Sequence, residues 1–338
     1  MVIQGIDLSV IWGVIIAFGL MMYVIMDGFD LGLGILFPLI GDSSDRDVMM
    51  NTVAPVWDGN ETWAVLGAAA LYGAFPLAYS VILEALYLPL VLVLAGLIFR
   101  GVAFEFRFKA EAHKRHLWDK AFIGGSVLAT FFQGVAIGTY ISGIPMVGRQ
   151  FAGSGWDWLA PFPMFCGVGL LLTYALLGST WLLIKTDGML ETRMRRYSRP
   201  LTYALAVVIV TICIWSASLN DDIAQRWFDA SHWLRSALIA ALAALVVMVI
   251  LKTLRKRHSH MPFIAVVGLV FLGYLGLAIS IWPNIVPPSL TLWQAAAPLT
   301  SQLFALIGAL FIIPIILAYT FWSYHVFRGK VKPGEAYH

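Results

Sequence analysis

The sequence is poor in charged residues and in the side chains that commonly carry enzyme chemistry. Only 12% of its 338 residues are Asp, Glu, Lys or Arg, whereas 60% are hydrophobic, which excludes an ordinary soluble domain. The two cysteines, Cys166 and Cys213, lie in separate apolar stretches without the spacing of a metal site. The net charge of +3 comes from short loops, so it gives no reason to expect a nucleic acid partner.

Histidine is scarce where a haem would need it. The seven histidines lie in loops, near predicted helix ends or in the C-terminal tail: His113, His116, His232, His258, His260, His325 and His338. A haem inside a helical bundle usually takes axial His or Met ligands from the spans, and a transition metal favours clustered His or Cys. We therefore expect this chain to bind no haem and no metal on its own.

What the sequence does contain is a series of long apolar stretches. Because a bilayer core of about 30 Å needs about 20 apolar residues per helix, the hydropathy predicts an all-α integral membrane protein with nine transmembrane helices. The predicted spans are Leu8–Phe37, Trp63–Tyr79, Leu83–Phe99, Ala121–Ile141, Pro161–Ile184, Leu201–Leu219, Trp233–Leu251, Phe263–Trp282 and Gln302–His325. The second and third spans are expected to form a tight hairpin with almost no loop. We expect residues 1–338 to form a single polytopic membrane domain. No signal-peptide features precede the first span, so it should remain in the mature protein.

The basic residues predict the orientation, because cytoplasmic loops are enriched in Lys and Arg. With nine spans, Arg149, Arg226 and Arg235 fall on one side of the membrane, and the other 19 of the 22 basic residues fall on the opposite side. This partition predicts a periplasmic N-terminus and a cytoplasmic C-terminus. The loop after the first span lies on the cytoplasmic side yet is acidic, which indicates a role other than orientation.

A first polar segment lies within the first span. Asp27 and Asp30 are three residues apart and share a helix face. Because ionised carboxylates facing lipid are costly, both should face protein or water. They are candidates for a proton path or a quinone-site wall. Alternatively, they satisfy backbone or Arg groups at a helix break, the interpretation that is favoured for Asp30. Gly28 and Gly32 are four residues apart and favour close packing by another helix.

A second polar segment opens the second span. Asp58 and Glu61 share a helix face, and Trp57 and Trp63 bracket them at the depth of the membrane interface. A simpler interpretation is a helix cap, with Asp58 or Asn60 at the N-cap and Glu61 in the first turn. The segment contains more polar groups than one cap needs, which favours a role in proton uptake for Asp58 and leaves Glu61 open.

Three further charged residues follow. Arg100 closes the third span at its cytoplasmic end, where a cation suits the helix dipole. Its expected role is that of an anchor, and it could also pair with Asp58 or Asp27. Glu105 and Asp119, in the next loop, are expected to be solvated charges.

These residues resemble subunit II of the cytochrome bd-type quinol oxidases. The resemblance spans nearly the whole chain and rests on ordered motifs: Asp27-Gly28-Phe29-Asp30, Ala54-Pro55-Val56-Trp57-Asp58-Gly59-Asn60 before Trp63, Phe99-Arg100-Gly101-Val102-Ala103-Phe104-Glu105-Phe106-Arg107, and the later Ser280-Ile281-Trp282-Pro283, Pro287-Pro288-Ser289-Leu290-Thr291-Leu292-Trp293 and Ala318-Tyr319-Thr320. It implies two four-helix bundles plus one peripheral helix, with helices 1–4 at about residues 8–141, helices 5–8 at about 161–282 and helix 9 at about 302–325.

The resemblance also implies a function within a complex in the bacterial inner membrane. A partner subunit I would carry haems b and d and the quinol site, and would reduce O₂ to water in an electrogenic, non-pumping reaction. The present chain would have no active site of its own, but would support assembly of subunit I and help to supply cytoplasmic protons. Asp58 matches the family acid associated with a proton path at the subunit boundary, whereas Glu61 and Glu84 depart from the family pattern.

Other expected partners are membrane lipid, quinol bound through subunit I and a small single-helix accessory subunit. Some members of the family hold a structural quinone, and no motif in this sequence decides whether this chain does. Two alternatives remain at this point. A proton-coupled secondary transporter also uses acids at broken helices, although the second half has no counterpart of the Asp-Gly-Phe-Asp segment. A scaffold would use the same acids only for caps and ion pairs.

Overall fold

A computed structural model describes residues 2–3, 6–229 and 231–334. The helices of this part are α1 (Leu8–Leu36), α2 (Ser43–Asn51), α3 (Trp57–Ala74), α4 (Pro76–Ala85), α5 (Tyr87–Lys109), α6 (Arg115–Ser142), α7 (Pro161–Lys185), α8 (Gly188–Leu219), α9 (Asp221–Phe228), α10 (Trp233–Arg255), α11 (His260–Ile281), α12 (Leu292–Ala295) and α13 (Leu299–Val326). Short antiparallel hairpins pair β1 (Val2–Ile3) with β2 (Ile6–Asp7), β3 (Met146–Val147) with β4 (Gln150–Phe151), and β5 (Asn284–Val286) with β6 (Leu290–Thr291). The sequence prediction did not include these hairpins.

Each of the nine predicted spans has a corresponding long helix, namely α1, α3, α5, α6, α7, α8, α10, α11 or α13. Eight helices of the described chain, all of these except α3, are long and apolar enough to cross a membrane. Helix α3 differs because it begins at Trp57 and therefore includes the polar residues of the second segment. The predicted all-α membrane fold is confirmed.

Several boundaries differ from the prediction. Helix α5 continues to Lys109 and α6 begins at Arg115, so Glu105 and Asp119 lie in helices and not in the expected loop. The second and third spans do not form a tight hairpin, because α3 ends at Ala74 and Pro76 starts the separate short helix α4, in the first-turn position that suits proline. Glu84 consequently lies in α4 instead of the third span. Helix α8 begins at Gly188, well before the predicted Leu201, because its first turns are charged and a count of apolar residues misses them.

The long helices form two groups of four. In the first group α1 contacts α3 and α6, and α5 packs along α6; in the second, α7 contacts α8 and α11, and α10 packs along α11. The groups meet where α7 packs against α1 and α6, and α13 lies outside them against α3 and α1. This is the two-bundle arrangement with one peripheral helix that the resemblance implies.

Glycines in α1 allow the two groups to approach closely. A Cβ atom added at Gly32 would lie 1.9 Å from the carbonyl oxygen of Tyr174 in α7. A Cβ atom added at Gly28 would lie 2.8 Å from the ring of the same tyrosine. Backbone contact of this kind requires a residue without a side chain, so the predicted packing role of both glycines is confirmed.

Asp7 holds the start of α1 in place. Its carboxylate accepts hydrogen bonds from the backbone N–H of Ser9 at 3.0 Å and from the indole Nε1–H of Trp293 at 2.6 Å. The hydrogen bond from Trp293 lowers the pKa of Asp7 from its ordinary value, because it favours the ionised carboxylate. Asp7 is therefore both the N-cap of α1 and a link between α1 and α12.

Candidate functional site

Arg100 is the centre of a buried cluster of charged side chains near one end of the first helix group. It projects from α5, and its side chain is 0% exposed. One guanidinium nitrogen, Nη1, donates to Asp27 Oδ1 at 2.6 Å, and the other, Nη2, donates to Glu61 Oε2 at 2.6 Å. The guanidinium also lies 5.6 Å from the ring centroid of Trp57. Arg100 therefore joins α1, α3 and α5, and of its two expected acidic partners it selects Asp27.

Asp30 occupies a second, polar part of the same cluster. Its Oδ2 accepts a hydrogen bond from Asn60 Nδ2 at 2.9 Å, and Asn60 Oδ1 accepts one from the hydroxyl of Tyr324 at 2.8 Å. Asp30 is fully buried, and no described residue provides a hydrogen-bond partner for its Oδ1 atom. The cluster thus links α1 through α3 to the peripheral helix α13.

A chain of amide and hydroxyl groups lies next to Asp27. Tyr23 precedes Asp27 by one helical turn, so both side chains project on the same face of α1. The Tyr23 hydroxyl accepts a hydrogen bond from Gln133 Nε2 at 2.6 Å, and Gln133 Oε1 accepts one from the Tyr174 hydroxyl at 3.0 Å. This chain extends polar contacts from the acidic cluster to α6 and α7.

Asp58 lies outside these ion pairs, at the exposed start of α3. The N-cap position of α3 belongs to Val56, which makes no side-chain cap, so the interpretation of Asp58 or Asn60 as an N-cap is wrong. Asn60 instead points inward to Asp30. Because α3 begins earlier than the sequence predicted, Asp58 and Glu61 already lie within its first two turns.

The two tryptophans that bracket this segment have different environments. Trp57 stacks on Phe104, with ring centroids 5.2 Å apart and planes at 8°. Trp63 is only 1% exposed and makes an edge-to-face contact with Phe18. Trp63 is therefore a core residue of the bundle.

A second ion cluster lies near the same end of α5 and was not predicted. Arg107 is buried, and it donates to Asp119 Oδ1 at 2.5 Å and to Asp47 Oδ1 at 2.5 Å. Asp119 also accepts from Arg46 at 2.8 Å, so its expected role as a solvated charge is wrong. Asp45 of the same acidic loop lies 3.4 Å from Arg193 of α8. The acidic loop therefore binds basic residues of other helices, which accounts for its composition.

The chemistry of the first cluster is that of carboxylates around a guanidinium. Among the described residues there is no group of three or more His, Cys, Asp or Glu side chains that could hold a metal ion. Carboxylates and arginine are not the axial ligands that haem iron takes in helical bundles. Hydrogen bonds run from Asp30 through the Asn60 amide to the Tyr324 hydroxyl, and the carboxyl groups of the cluster can each bind a proton.

The structure also bears on the transporter alternative. That alternative rests on acids at a broken first helix, yet α1 is continuous from Leu8 to Leu36 and contains both Asp27 and Asp30 in its regular part. The discontinuous helix that such a carrier uses for binding is thus not present at this segment.

Fold and site together define a polytopic membrane protein of two helix bundles with acids and one arginine buried in the first bundle. Comparison with known protein families identifies which family of membrane proteins this is. The family model described as cytochrome bd terminal oxidase subunit II matches residues 8–327. The chain belongs to this family.

Curated relatives agree with this assignment. The chain is 29% identical to the cytochrome bd-I ubiquinol oxidase subunit 2 of Escherichia coli K12, over 96% of this chain and 95% of the relative. It is 28% identical to the cytochrome bd ubiquinol oxidase subunit 2 of Bacillus subtilis, over 96% and 97% of the two chains. It is 29% identical to a probable cytochrome oxidase subunit 2 of Haemophilus influenzae, with coverage of 96% and 95%.

A solved structure shares the fold. A chain of the bd oxidase from Geobacillus thermodenitrificans superimposes with a TM-score of 0.80 at 15% identity, covering 95% of this chain and 99% of that one. Membership of the family places the chain in a bacterial inner membrane, implies a partner subunit I and implies haem cofactors in the complex. The transporter alternative is not favoured by these findings.

The sequence analysis predicted most residues of the first cluster but missed four residues that extend it. Tyr324, Tyr23, Gln133 and Tyr174 were not candidates, because single polar residues in apolar helices are common and nothing in the sequence indicates which of them meet. One signal was available: Tyr23 lies four residues before Asp27, which places both on one face of a helix.

Proposed function

We propose that this chain is the haem-free subunit II of a terminal quinol oxidase, in which it supports the assembly of subunit I and supplies protons for the reduction of O₂. In this proposal Asp58 takes up protons from the cytoplasm, and Glu61, Asp27 and Asp30 pass or hold them, with Arg100 positioning the carboxylates. The reaction itself takes place in subunit I, where quinol binds and haems b and d carry the chemistry.

The main support for this proposal is that the solvent exposure of the acidic side chains decreases stepwise from the surface to the interior. Asp58 is exposed, the Glu61 side chain is 29% exposed, and Asp27 and Asp30 are fully buried. Asp58 and Glu61 are three residues apart on α3 and share a face. Arg100 then bridges Glu61 to Asp27 through two hydrogen bonds of 2.6 Å. Acids therefore continue from the surface to the interior of the bundle.

The balance of charges supports the proposal that one carboxyl group of the cluster is protonated. Asp27, Asp30 and Glu61 are three carboxyl groups around one guanidinium, so they would leave a net negative charge in the bundle if all were ionised. Burial of uncompensated charge is costly, and such a group becomes neutral instead. We assign the proton to Asp30, whose Oδ2 accepts from Asn60 while Oδ1 has no partner in the described chain.

The peripheral helix α13 supports the proposed role in assembly. Its large apolar side chains are exposed, with Phe304 at 81%; others on the same helix are Phe311, Ile315, Phe321 and Trp322. Its Tyr324 reaches the cluster through Asn60. We propose that subunit I covers the outer face of α13, so that one helix connects the subunit boundary with the buried acids.

The distribution of basic residues supports the direction of proton movement. The predicted spans put 19 of the 22 Lys and Arg residues on the same side as Asp58, which indicates the cytoplasmic side. The N-terminus is then periplasmic and the C-terminus cytoplasmic. If quinol releases its protons outside and the protons for water come from inside, the reaction is electrogenic without a pump. A small single-helix subunit completes the proposed complex.

Replacement of Asp58 tests the proposal. Asp58→Asn should slow quinol-driven O₂ uptake of the purified complex while the haem spectrum remains unchanged. Glu105→Gln is a matched control, since Glu105 is an exposed acid whose contact with Lys109 is a 3.4 Å surface pair. Normal turnover of Asp58→Asn would remove Asp58 from the proton path and favour the scaffold alternative, in which the acids only cap and pair.

A further inference from the structure

A largely apolar cavity that includes two arginines in its lining lies at the end of the second helix group opposite the predicted cytoplasmic side. It measures about 460 Å³ and lies where α9, the start of α10 and the end of α11 meet. Arg226, His232 and Arg235 line it together with Trp282, and Ala278 and Ile279 form an apolar wall. None of these residues belongs to the acidic clusters described above.

We propose that this cavity binds the headgroup of an anionic phospholipid. The guanidinium groups of Arg226 and Arg235 would hold the phosphate, and the acyl chains would lie against the apolar wall of α11. Arginine suits such a ligand because its planar donors match phosphate oxygens.

The two arginines are available for an anion. The ion pairs of the described residues include neither Arg226 nor Arg235. Arg235 Nη2 donates to the backbone carbonyl of Arg226 at 2.7 Å, which keeps the arginine of α10 close to α9. Asp222, one helical turn before Arg226, lines a smaller neighbouring cavity together with Arg226. Asp229 accepts a hydrogen bond from Ser231.

The position of the arginines in the sequence supports a specific role. They are two of the three basic residues on the side that the Lys and Arg distribution marks as periplasmic. Basic residues on that side oppose the usual orientation signal, so their occurrence together at one cavity indicates a local function. The third, Arg149, lies in the β3–β4 turn and does not line the cavity.

The surroundings of the cavity indicate lipid as the source of the anion. Helix α9 is fixed to α11 by a hydrogen bond of 2.8 Å from Trp227 Nε1 to Ser280 Oγ and by the buried side chain of Ile223. Its polar residues lie beside Arg226, as in helices that rest at the surface of a bilayer. Trp282 and the nearby Trp233 are exposed, which is typical of the belt of tryptophans at headgroup depth. A phosphate bound there has acyl chains within reach of apolar helix faces.

Lipid binding to the intact, delipidated oxidase complex tests this proposal. Phosphatidylglycerol is titrated, and the bound lipid is measured by native mass spectrometry for the wild type, Arg226→Gln and Arg235→Gln. Each substitution should weaken binding about fivefold, the effect expected for one basic residue near an anionic headgroup. Arg226→Lys, which keeps the charge, should lose less affinity for phosphatidylglycerol than Arg226→Gln does. Arg149→Gln is the matched control at the same end and should bind as the wild type does.

Several results would overturn the proposal. Equal phosphatidylglycerol binding by the wild type and both glutamine variants, with intact haem content, would exclude the arginines from a lipid site. Equal competition by phosphatidylcholine would show that the anionic charge is not recognised. Displacement of the lipid by millimolar inorganic phosphate would identify free phosphate as the ligand, and recovery of a quinone in place of the lipid would assign the cavity to a different class of molecule.

Discussion

The strongest structural prediction concerns Arg100. Replacement by Met keeps much of the side-chain volume but removes the guanidinium that contacts Asp27 and Glu61. Asp27 and Arg100 are both fully buried, and breaking a buried pair by removal of one partner costs about 3–5 kcal/mol. We therefore expect Arg100→Met to lower the free energy of unfolding of the complex by about that amount.

A double variant separates charge from packing. Asp27→Asn in the Arg100→Met background removes one of the uncompensated carboxylates, and should restore about 0.5–3 kcal/mol, the range of coupling between residues in contact. The Glu61 side chain is partly exposed and can reach water, so its charge contributes less to the loss of stability. The assay is unfolding in SDS and detergent mixtures, followed by tryptophan fluorescence.

Lys109→Gln provides the control on the same helix. Its partner Glu105 is exposed, and an exposed pair contributes about 0–1 kcal/mol. The reasoning is refuted if Arg100→Met loses no more stability than Lys109→Gln. It is equally refuted if Asp27→Asn makes the Arg100→Met variant less stable.

Three further predictions follow from other contacts. Gly32→Ala should destabilise the protein by about 1–3 kcal/mol through overpacking against Tyr174, whereas Gly124→Ala, with open space around its Cβ position, should be neutral or stabilising in the same unfolding assay. Asp7→Ala should cost about 1 kcal/mol of stability at pH 6 through the lost helix cap. Because folding lowers the pKa of Asp7, the stability difference between wild type and variant is complete above the pKa of the unfolded chain, about 3.9, and should shrink as the pH falls below it. A stability difference that grows on acidification would contradict the assignment. The chain purified without subunit I should show no Soret absorption, and stoichiometric haem in that sample would refute the expectation drawn from the histidines.

The membrane fold could be predicted because its physical basis is local in sequence. Each span contains enough apolar residues to cross a bilayer, and the one-sided distribution of the basic residues supported the count of nine spans. The predicted helix boundaries were wrong where a count of apolar residues does not determine where a helix begins or ends. Pro76 starts a separate helix in place of a hairpin turn, and the charged first turns of α8 continue a helix beyond its apolar part.

The candidate site was predicted only in part. Asp27, Asp30 and Glu61 stood out because acids are costly in apolar spans, and the structure brings all three near Arg100. The partners of Asp30 could not be predicted, because Tyr324 lies 264 residues from Asn60 in the chain. The pairing of Arg107 with Asp47 spans 60 residues, and such contacts depend on how helices pack rather than on any local pattern.

Asp58 illustrates a different limit. The sequence correctly indicated a polar helix start, but it could not distinguish an N-cap from a free carboxylate. In the structure Val56 occupies the cap position and Asp58 is exposed. Asp58 is therefore not the N-cap of α3. Its carboxylate is accessible to water, and a residue that takes up protons needs this access.

Proton uptake during a single turnover tests the central claim most directly. The fully reduced complex is mixed with O₂, and proton uptake is followed with a pH-sensitive dye while haem absorbance reports the electron transfer. If Asp58 receives the protons, Asp58→Asn should slow the proton-uptake phase by about 10²-fold, the contribution typical of a positioned proton-transfer group, while Glu105→Gln should match the wild type. Proton uptake at the wild-type rate in Asp58→Asn would contradict the proposed path.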